Sequence, residues 1–405
     1  VRVAIMTAGS RGDVAPYTGL GHALAREGHQ VTLVTHGCFE RLVAGSELGF
    51  HPLPVDPRAE LESSRGRGLH RSATGVGKLM RVAALARALV GKMADDLVAA
   101  ARESDILLLS SSLAPLGRTV AEGLRLPSMG VYLQPLAPTR EFAPPVLGGG
   151  SLGALGNRVA GHGVNLVMDR IFASTLPSVR ARLGLPRTRV RELPVLHGFS
   201  PLVVPRPRDW PRGLDVTGYW WPYDRDAQLP AELLDFLDAG DPPVFVGLGS
   251  ATVPDPRGLS ARIVRALRRA GLRGVIQRGW GGLEAEGADM LTVDEVPHSA
   301  LSPRMAAVVH HAGAGTTAAG LRAGVPAVPV PIQFDEGFWA ERLVALGVAP
   351  RSVRLRGLTA DALAPALDEA VRQTAYRARA QALGARIREE DGTAPVLAAV
   401  ERLAR

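Results

Sequence analysis

Residues 310–326 read HHAGAGTTAAGLRAGVP: two histidines, alternating glycines and two threonines between an apolar run and a helical pattern. Glycines let a backbone approach a ligand closely. The free N–H groups and positive dipole end at the front of a helix attract phosphate. Gly313, Ala314, Gly315 and Thr316 would form such a cradle, with a further hydrogen bond from His311 and a second hydroxyl from Thr317. A plain helix cap would need only one of these groups. Two other readings stay open here. One is a turn and cap with locally satisfied histidines. The other is a dinucleotide site, because GAGTTA fits G-x-G-x-x-G/A and Asp335 follows about twenty residues on. That fingerprint normally opens the first βαβ of its domain, whereas three strand patterns of this half precede it. Nucleotide phosphate without a dinucleotide is therefore the favoured ligand.

Those residues need elements that hold them. The segment 1–8 has strand character, GSRGDVAP is a Gly-rich loop, YTGLGHALAREG has helical spacing ending at Gly28, and QVTLVTH is a second strand. This βαβ unit implies a right-handed crossover and a parallel sheet. DILLLS (105–110), a helix through LGRTVAEGL and PSMGVYL (127–133) extend it. From Pro243 the alternation restarts, with strands expected at PVFVGLGS, RGVIQRG, MLTVDEV, AAVVHH, VPAVPVP and RSVRL, and a helix at FWAERLVALG. The expected architecture is α/β, two doubly wound parallel-sheet domains facing across a cleft. Residues 1–205 would form the first domain and 227–405 the second, the last helix packing back on the first. The Pro- and Trp-dense stretch 206–226 would link them.

Ligands of open α/β sheets bind beyond the carboxyl ends of the strands. The loops after the expected strands carry Ser10, Arg11 and Asp13; Ser110 to Ser112; Gln134; Ser250; His310, His311, Thr316 and Thr317; and Asp335 and Glu336. The chemistry is expected between the domains.

A chain of 405 residues is long enough for two full cores, and 46% apolar residues in short runs argue against disorder. The net charge of +8 does not indicate nucleic acid: all but two of the 47 basic residues are arginines, scattered without an aromatic-interleaved stripe or a recognition-helix motif. Cys38 stands alone, which excludes a disulfide framework or cysteine metal site and fits a reducing compartment. No apolar run reaches the ~18 residues of a membrane span, and the apolar N-terminus is too short for a signal peptide. A cytoplasmic location is expected.

The stretch 296–350, from VPHSALSPRM through HHAGAGTTAAGLRAG to IQFDEGFWAERLVALGVAP, resembles the donor-binding signature of the UDP-glycosyltransferase superfamily. GSRGDVAPYTGLGHALAREGHQVTLVTH (9–36) and DVTGYWW (215–221) resemble other segments of the same family, in its sterol-glucosyltransferase-like and actinobacterial natural-product branch. The resemblance implies a GT-B fold, an acceptor-binding first domain, a donor-binding second domain, inversion at the anomeric carbon and no essential metal or cofactor. It assigns the donor diphosphate to His311 and Gly313 to Thr316. It sets the base and ribose near Val296 to His298, with Trp280 as a wall, and the sugar hydroxyls near Asp335 and Glu336. The family has an Asp-Gln pair at these last two positions. A carboxylate accepts but cannot donate, so Glu336 is read either as favouring an amino-deoxysugar donor or as accepting from hydroxyls much as Gln would.

Inverting transfer is an in-line displacement that needs a base opposite the departing diphosphate. Asp13 is placed for that, and burial would have to raise its pKa. Its other reading is a cap for a helix beginning near Pro16. Ser250 joins the diphosphate donors, and Ser10, Arg11 and Gln134 are acceptor-side candidates. The triplet DRD (224–226) has the form of a metal-binding Asp-x-Asp but lies in the linker and is discounted. His36 ends a strand, where packing is the favoured role. Residues 61–92 and 144–175 read as apolar-lined acceptor walls, with weak membrane-surface contact left open. The expected partners are a UDP- or TDP-sugar and an apolar aglycone of polyketide, macrolide or sterol type. A sugar-nucleotide epimerase and a non-catalytic auxiliary protein are the alternatives.

Overall fold

The structure is a computed structural model that describes residues 1–56, 92–173, 175–186, 193–224 and 227–405. Two parallel sheets organise it. In the first half, β1 (Arg2–Met6), β2 (Gln30–His36), β3 (Gly49–Leu53), β4 (Ile106–Leu109), β5 (Ser128–Tyr132), β6 (Val195–His197) and β7 (Leu214–Val216) lie in the order β3-β2-β1-β4-β5-β6-β7. In the second, β8 (Val244–Gly247), β9 (Gly274–Gln277), β10 (Met290–Val293), β11 (Ala307–His310) and β12 (Ala327–Pro329) run β10-β9-β8-β11-β12. The near-continuous apolar strands, such as Ile106 to Leu109, are buried on both faces, as parallel strands between helix layers must be.

Each sheet reverses its strand order once, between β1 and β4 and between β8 and β11. Those switch points open crevices at the strands' carboxyl ends. Helix α1 (Arg11–Arg26) follows β1, and α2 (Ala314–Ala323) follows β11. The two helices touch, so the crevices face each other.

Two differences from the sequence pattern bear on the site. The strand expected at 351–355 does not form: Val353 gives one backbone bond to Pro329 and its neighbours are irregular. Strand β7 lies inside the stretch expected to be linker, because Leu214 to Val216 pairs with β6 and completes the first sheet. Its three residues, bounded by Gly213 and Gly218, are too short a run for periodicity to reveal. Residues 61–91, one of the expected acceptor walls, lie outside the described residues.

Helix α3 (Glu336–Ala345) begins just beyond Asp335. The terminal helix α4 (Ala394–Leu403) buries Val396, Ala399 and Val400 in the first half's core with Tyr17, Leu20, Leu24 and Trp220. The Trp220 indole donates to the Gly392 carbonyl at 2.7 Å, which fixes the turn that returns the chain. A further apolar cluster joins Phe142, Phe199, Trp210 and Tyr219 to Phe338 and Trp339. At this contact Gly337 is required, since a Cβ there would lie 1.8 Å from the Gly148 carbonyl oxygen.

Candidate active site

Asp13 is the third residue of α1, not its cap. Ser10 is the N-cap, and helix α1 starts well before Pro16. The Ser10 N–H and Oγ–H both donate to Asp13 Oδ2 at 2.9 Å, closing a capping box. Oδ1 receives only a long contact of 3.5 Å from Gln134 Nε2. Ser111 Oγ in turn donates to Gln134 Oε1 at 3.3 Å. The capping and base readings therefore use different oxygens, and Oδ1 is the one left for a ligand. Burial raises the Asp13 pKa, while the Ser10 and Gln134 hydrogen bonds work against it.

The switch point is bonded across its crevice. Ala8 N–H donates to Ser112 Oγ at 3.3 Å, and the same hydroxyl donates to the Ala8 carbonyl at 2.7 Å. Gly9 has φ +145°, a backbone that L side chains rarely adopt, and a Cβ there would fall 2.5 Å from Asp13 Oδ2. The loop presses its backbone directly against the carboxylate.

In the second half the adjacent histidines divide their roles, because successive residues at a strand end point to opposite sides. His310 is fully buried, and its Nδ1 accepts the Ala312 N–H at 3.0 Å. That bond holds Ala312 at φ +63°, a conformation costly for a residue with a Cβ. His311 is partly exposed. Burial lowers its pKa to about 4, with the Gly247 backbone opposing and His298 adding to the fall, so it is a neutral donor at neutral pH.

Gly313 is the N-cap of α2 and offers no side-chain cap; the first intrahelical bond runs from Thr317 N–H to its carbonyl. The N–H groups of Ala314, Gly315 and Thr316 head the helix. Thr317 is buried, so its hydroxyl belongs to the packed side and not to this cradle. Ser250 is the third residue of the loop after β8, and Trp280 N–H bonds to the Gly249 carbonyl at 3.1 Å, bringing these two loops together. The Val296 side chain lies in the core with Val293 and Leu301. His298 sits edge-on to Phe245 at 5.4 Å, and burial lowers its pKa to about 4, helped by the charge of Arg11.

Asp335 Oδ2 accepts the Trp339 indole N–H at 2.7 Å, one helical turn on. Its pKa is pushed up to about 6, mainly by burial and in part by the negative charge of Asp13. Phe334 beside it has φ +49°. Such strain costs about 1–3 kcal/mol and is held by surrounding structure. Glu336 is buried, and its Oε2 accepts the N–H groups of Ile332 and Gln333, both at 2.6 Å. That oxygen is committed to the loop and not to a donor sugar.

Charge relationships also cross between the halves. Asp13 and Asp335 are near enough for charge to be felt, and Arg11 Nη1 lies 2.5 Å from Glu295 Oε2. Helix α1, which carries Asp13 in its first turn, touches α2, whose N-terminus has no side-chain cap. Of the DRD triplet, Asp224 accepts from Ser299 Oγ, while residues 225 and 226 lie outside the described residues.

With this geometry in place, family models match both halves: a glycosyltransferase family 28 N-terminal domain over residues 3–142 and an erythromycin biosynthesis protein CIII-like C-terminal domain over residues 283–402. The first half is thus similar to a glycosyltransferase domain, and the chain spans less than two thirds of the length of the two curated relatives that follow. It is 32% identical to a sterol 3-beta-glucosyltransferase of Arabidopsis thaliana over 97% of its length, spanning 64% of that protein. It is 31% identical to a sterol 3-beta-glucosyltransferase of Cryptococcus neoformans over 99% of its length, spanning 27% of it. Among solved structures, the glycosyltransferase SnogD from Streptomyces nogalater superimposes with a TM-score of 0.68 at 23% identity, covering 100% of this chain and 99% of that one. The glycosyltransferase VinC, in complex with DTDP, gives 0.69 at 23% identity with the same coverages. These likenesses establish the GT-B fold of two facing parallel-sheet domains.

Sequence reasoning placed Asp13, Ser10, Gln134, His311, the Gly313–Thr316 turn and Asp335 at one crevice. It left out Gly9 and Trp339 and gave His36 to packing. Trp339 had a signal in its i+4 spacing from Asp335; the bond between Gly9 and His36 had none, because it joins residues 27 positions apart.

Proposed function

We propose that this chain is an inverting glycosyltransferase moving a hexosyl group from a nucleoside diphosphate to a hydroxyl of an apolar acceptor. The observation that carries it is the Asp13 carboxylate, raised in pKa by burial, on a helix in contact with α2, whose N-terminus has no side-chain cap. Asp13 Oδ1 takes the acceptor's proton as its oxygen bonds to the anomeric carbon. The bond from that carbon to the diphosphate breaks on the opposite face. The departing charge meets the N–H groups of Ala314, Gly315 and Thr316, the helix dipole and neutral His311, all fixed before the reaction. No metal is required for this step. Asp335 accepts from sugar hydroxyls while Trp339 holds its other oxygen. Trp280, His298 and the Val296 backbone border the nucleoside, and Ser250 adds a donor near the phosphates. Arg11 and Gln134 lie on the acceptor side.

An apolar acceptor is supported by the helix over Gly153–Phe172, whose Leu155, Val159 and Leu166 are 72%, 62% and 58% exposed at i, i+4 and i+11, on one face. The loop before it rests on α3 beside the donor-sugar residues. Relatives named for sterols and for natural products point to the same acceptor class, with antibiotic-type aglycones among the candidates. No helix among the described residues is long and apolar enough to cross a membrane.

The test is a thermal-shift panel of UDP- and TDP-sugars, since a ligand that binds the native state raises its stability. It is followed by incubation with apolar alcohols and assignment of the product anomer by NMR. Nucleoside diphosphate release with inverted product is expected, unchanged by a chelator. Stability unmoved by saturating sugar nucleotides would sink the proposal, and interconversion of free donors without acceptor would turn it to an epimerase.

A further inference from the structure

We propose that His36 is a positioning residue for transfer: its neutral ring, accepting the Gly9 amide, holds the loop that presents Asp13 to the acceptor. The inference rests on the reading of Asp13 as the base. His36 closes β2, next to the β1 loop, and is buried. Gly9 N–H donates to its Nε2 at 3.0 Å. An N–H pointed at Nε2 requires a lone pair there, so the ring is neutral with its proton on Nδ1. Nδ1 itself is buried without a well-formed partner and lies by the Val55 backbone.

The bond matters because of what Gly9 touches. Its α-carbon packs on the Asp13 carboxylate too tightly for any Cβ. The next residue, Ser10, supplies both donors that orient Oδ2. Ser112 grips Ala8 from the β4 side, and His36 grips Gly9 from the β2 side. Releasing either grip lets the carboxylate swing, and small misplacement of a reacting group costs rate steeply.

The grip is sensitive to protonation. A proton on Nε2 would set N–H against N–H. Burial lowers the affinity of the ring for that proton, opposed by the Val55 backbone and the Asp56 charge. Among the described residues, Cys38 on the following turn, which also feels Asp56, and Asp13 beyond Gly9 are further titratable groups at this corner. Acid therefore removes two functions, the free carboxylate and the loop's anchor.

The experiment compares the full chain with His36→Phe, His36→Gln and Asp13→Asn, reading kcat, KM for donor, pH profile and the ring tautomer by nitrogen NMR. His36→Phe should lower kcat about tenfold with donor KM unchanged, as loss of one buried hydrogen bond implies. His36→Gln, whose amide oxygen can accept, should restore most of it. The acid limb should follow two protons in the wild type and one in His36→Gln. Wild-type kcat in His36→Phe, equal impairment in His36→Gln, or a proton on Nε2 at neutral pH would each overturn the inference. The wild-type tautomer is measurable even if a variant fails to fold. Full turnover in Asp13→Asn would overturn the base and with it this role, whereas an inactive Asp13→Asn beside an unimpaired His36→Phe would overturn His36 alone.

Discussion

Arg11 Nη1 and Glu295 Oε2, 284 positions apart in the chain, form an ion pair at 2.5 Å that joins the front of α1 to the loop leading into the nucleoside side of the crevice. Both side chains are well exposed, 49% and 69%, so solvent screens the pair and limits it to about 1 kcal/mol or less. Arg11→Ala and Glu295→Ala are each expected to change donor KM less than about fivefold, an effect that fades in high salt. The reversed pair, Arg11→Glu with Glu295→Arg, should recover the wild-type value. Larger losses that ignore salt would mean Arg11 contacts the substrate itself.

Asp13→Asn is expected to lower turnover by ~10²-fold or more, as removal of a general base does. Nucleotide affinity should stay near the wild-type value, because the amide keeps the Ser10 side of the capping box and the proposed diphosphate site belongs to the other half. Unchanged turnover in a folded variant would place the base elsewhere.

Asp335 should couple stability to pH. Its folded pKa of about 6 lies above the ordinary carboxyl value, so the folded state binds the proton more tightly than the unfolded one. The sign follows from linkage: the penalty is absent below about pH 4, grows as pH rises, and is complete above about pH 6. Asp335→Asn should therefore raise Tm at pH 8 but not at pH 3.5, while weakening use of the donor sugar. Equal Tm shifts at both pH values would show that the carboxylate carries no such penalty.

Glu336 holds the Ile332 and Gln333 amides at 2.6 Å. Glu336→Ala should cost about 1–3 kcal/mol in denaturant unfolding, since those donors lose their acceptor. Glu336→Gln can keep the bonds through its carbonyl oxygen and should retain most of that stability and the same ranking of donor sugars. A reordered ranking would restore a direct sugar contact for this side chain.

The strand, glycine turn and helix front at 307–323 were legible because they follow one another within a few residues. Asp13 was legible as a strand-end polar group, but its two functions were not separable. Which oxygen caps the helix depends on where Ser10 turns, and which remains open depends on Gln134, far along the chain. The expected strand at 351–355 failed for the same reason that β7 was missed: short runs take their state from neighbouring strands and not from their own periodicity.

By itself the sequence determined the alternation of strands and helices, the restart of that alternation near Pro243, and the residue types at each strand end. These follow from side-chain periodicity and from turn chemistry acting over a few residues. Only the tertiary structure decided which strand ends meet. Parallel pairing of β1 with β2 brings His36 to Gly9, contact between α1 and α2 accompanies the charge effect of Asp13 on Asp335, and packing buries His310 while His311 stays partly exposed. Burial and charge act through space, so a carboxylate's proton affinity is set by what surrounds it once the chain has closed.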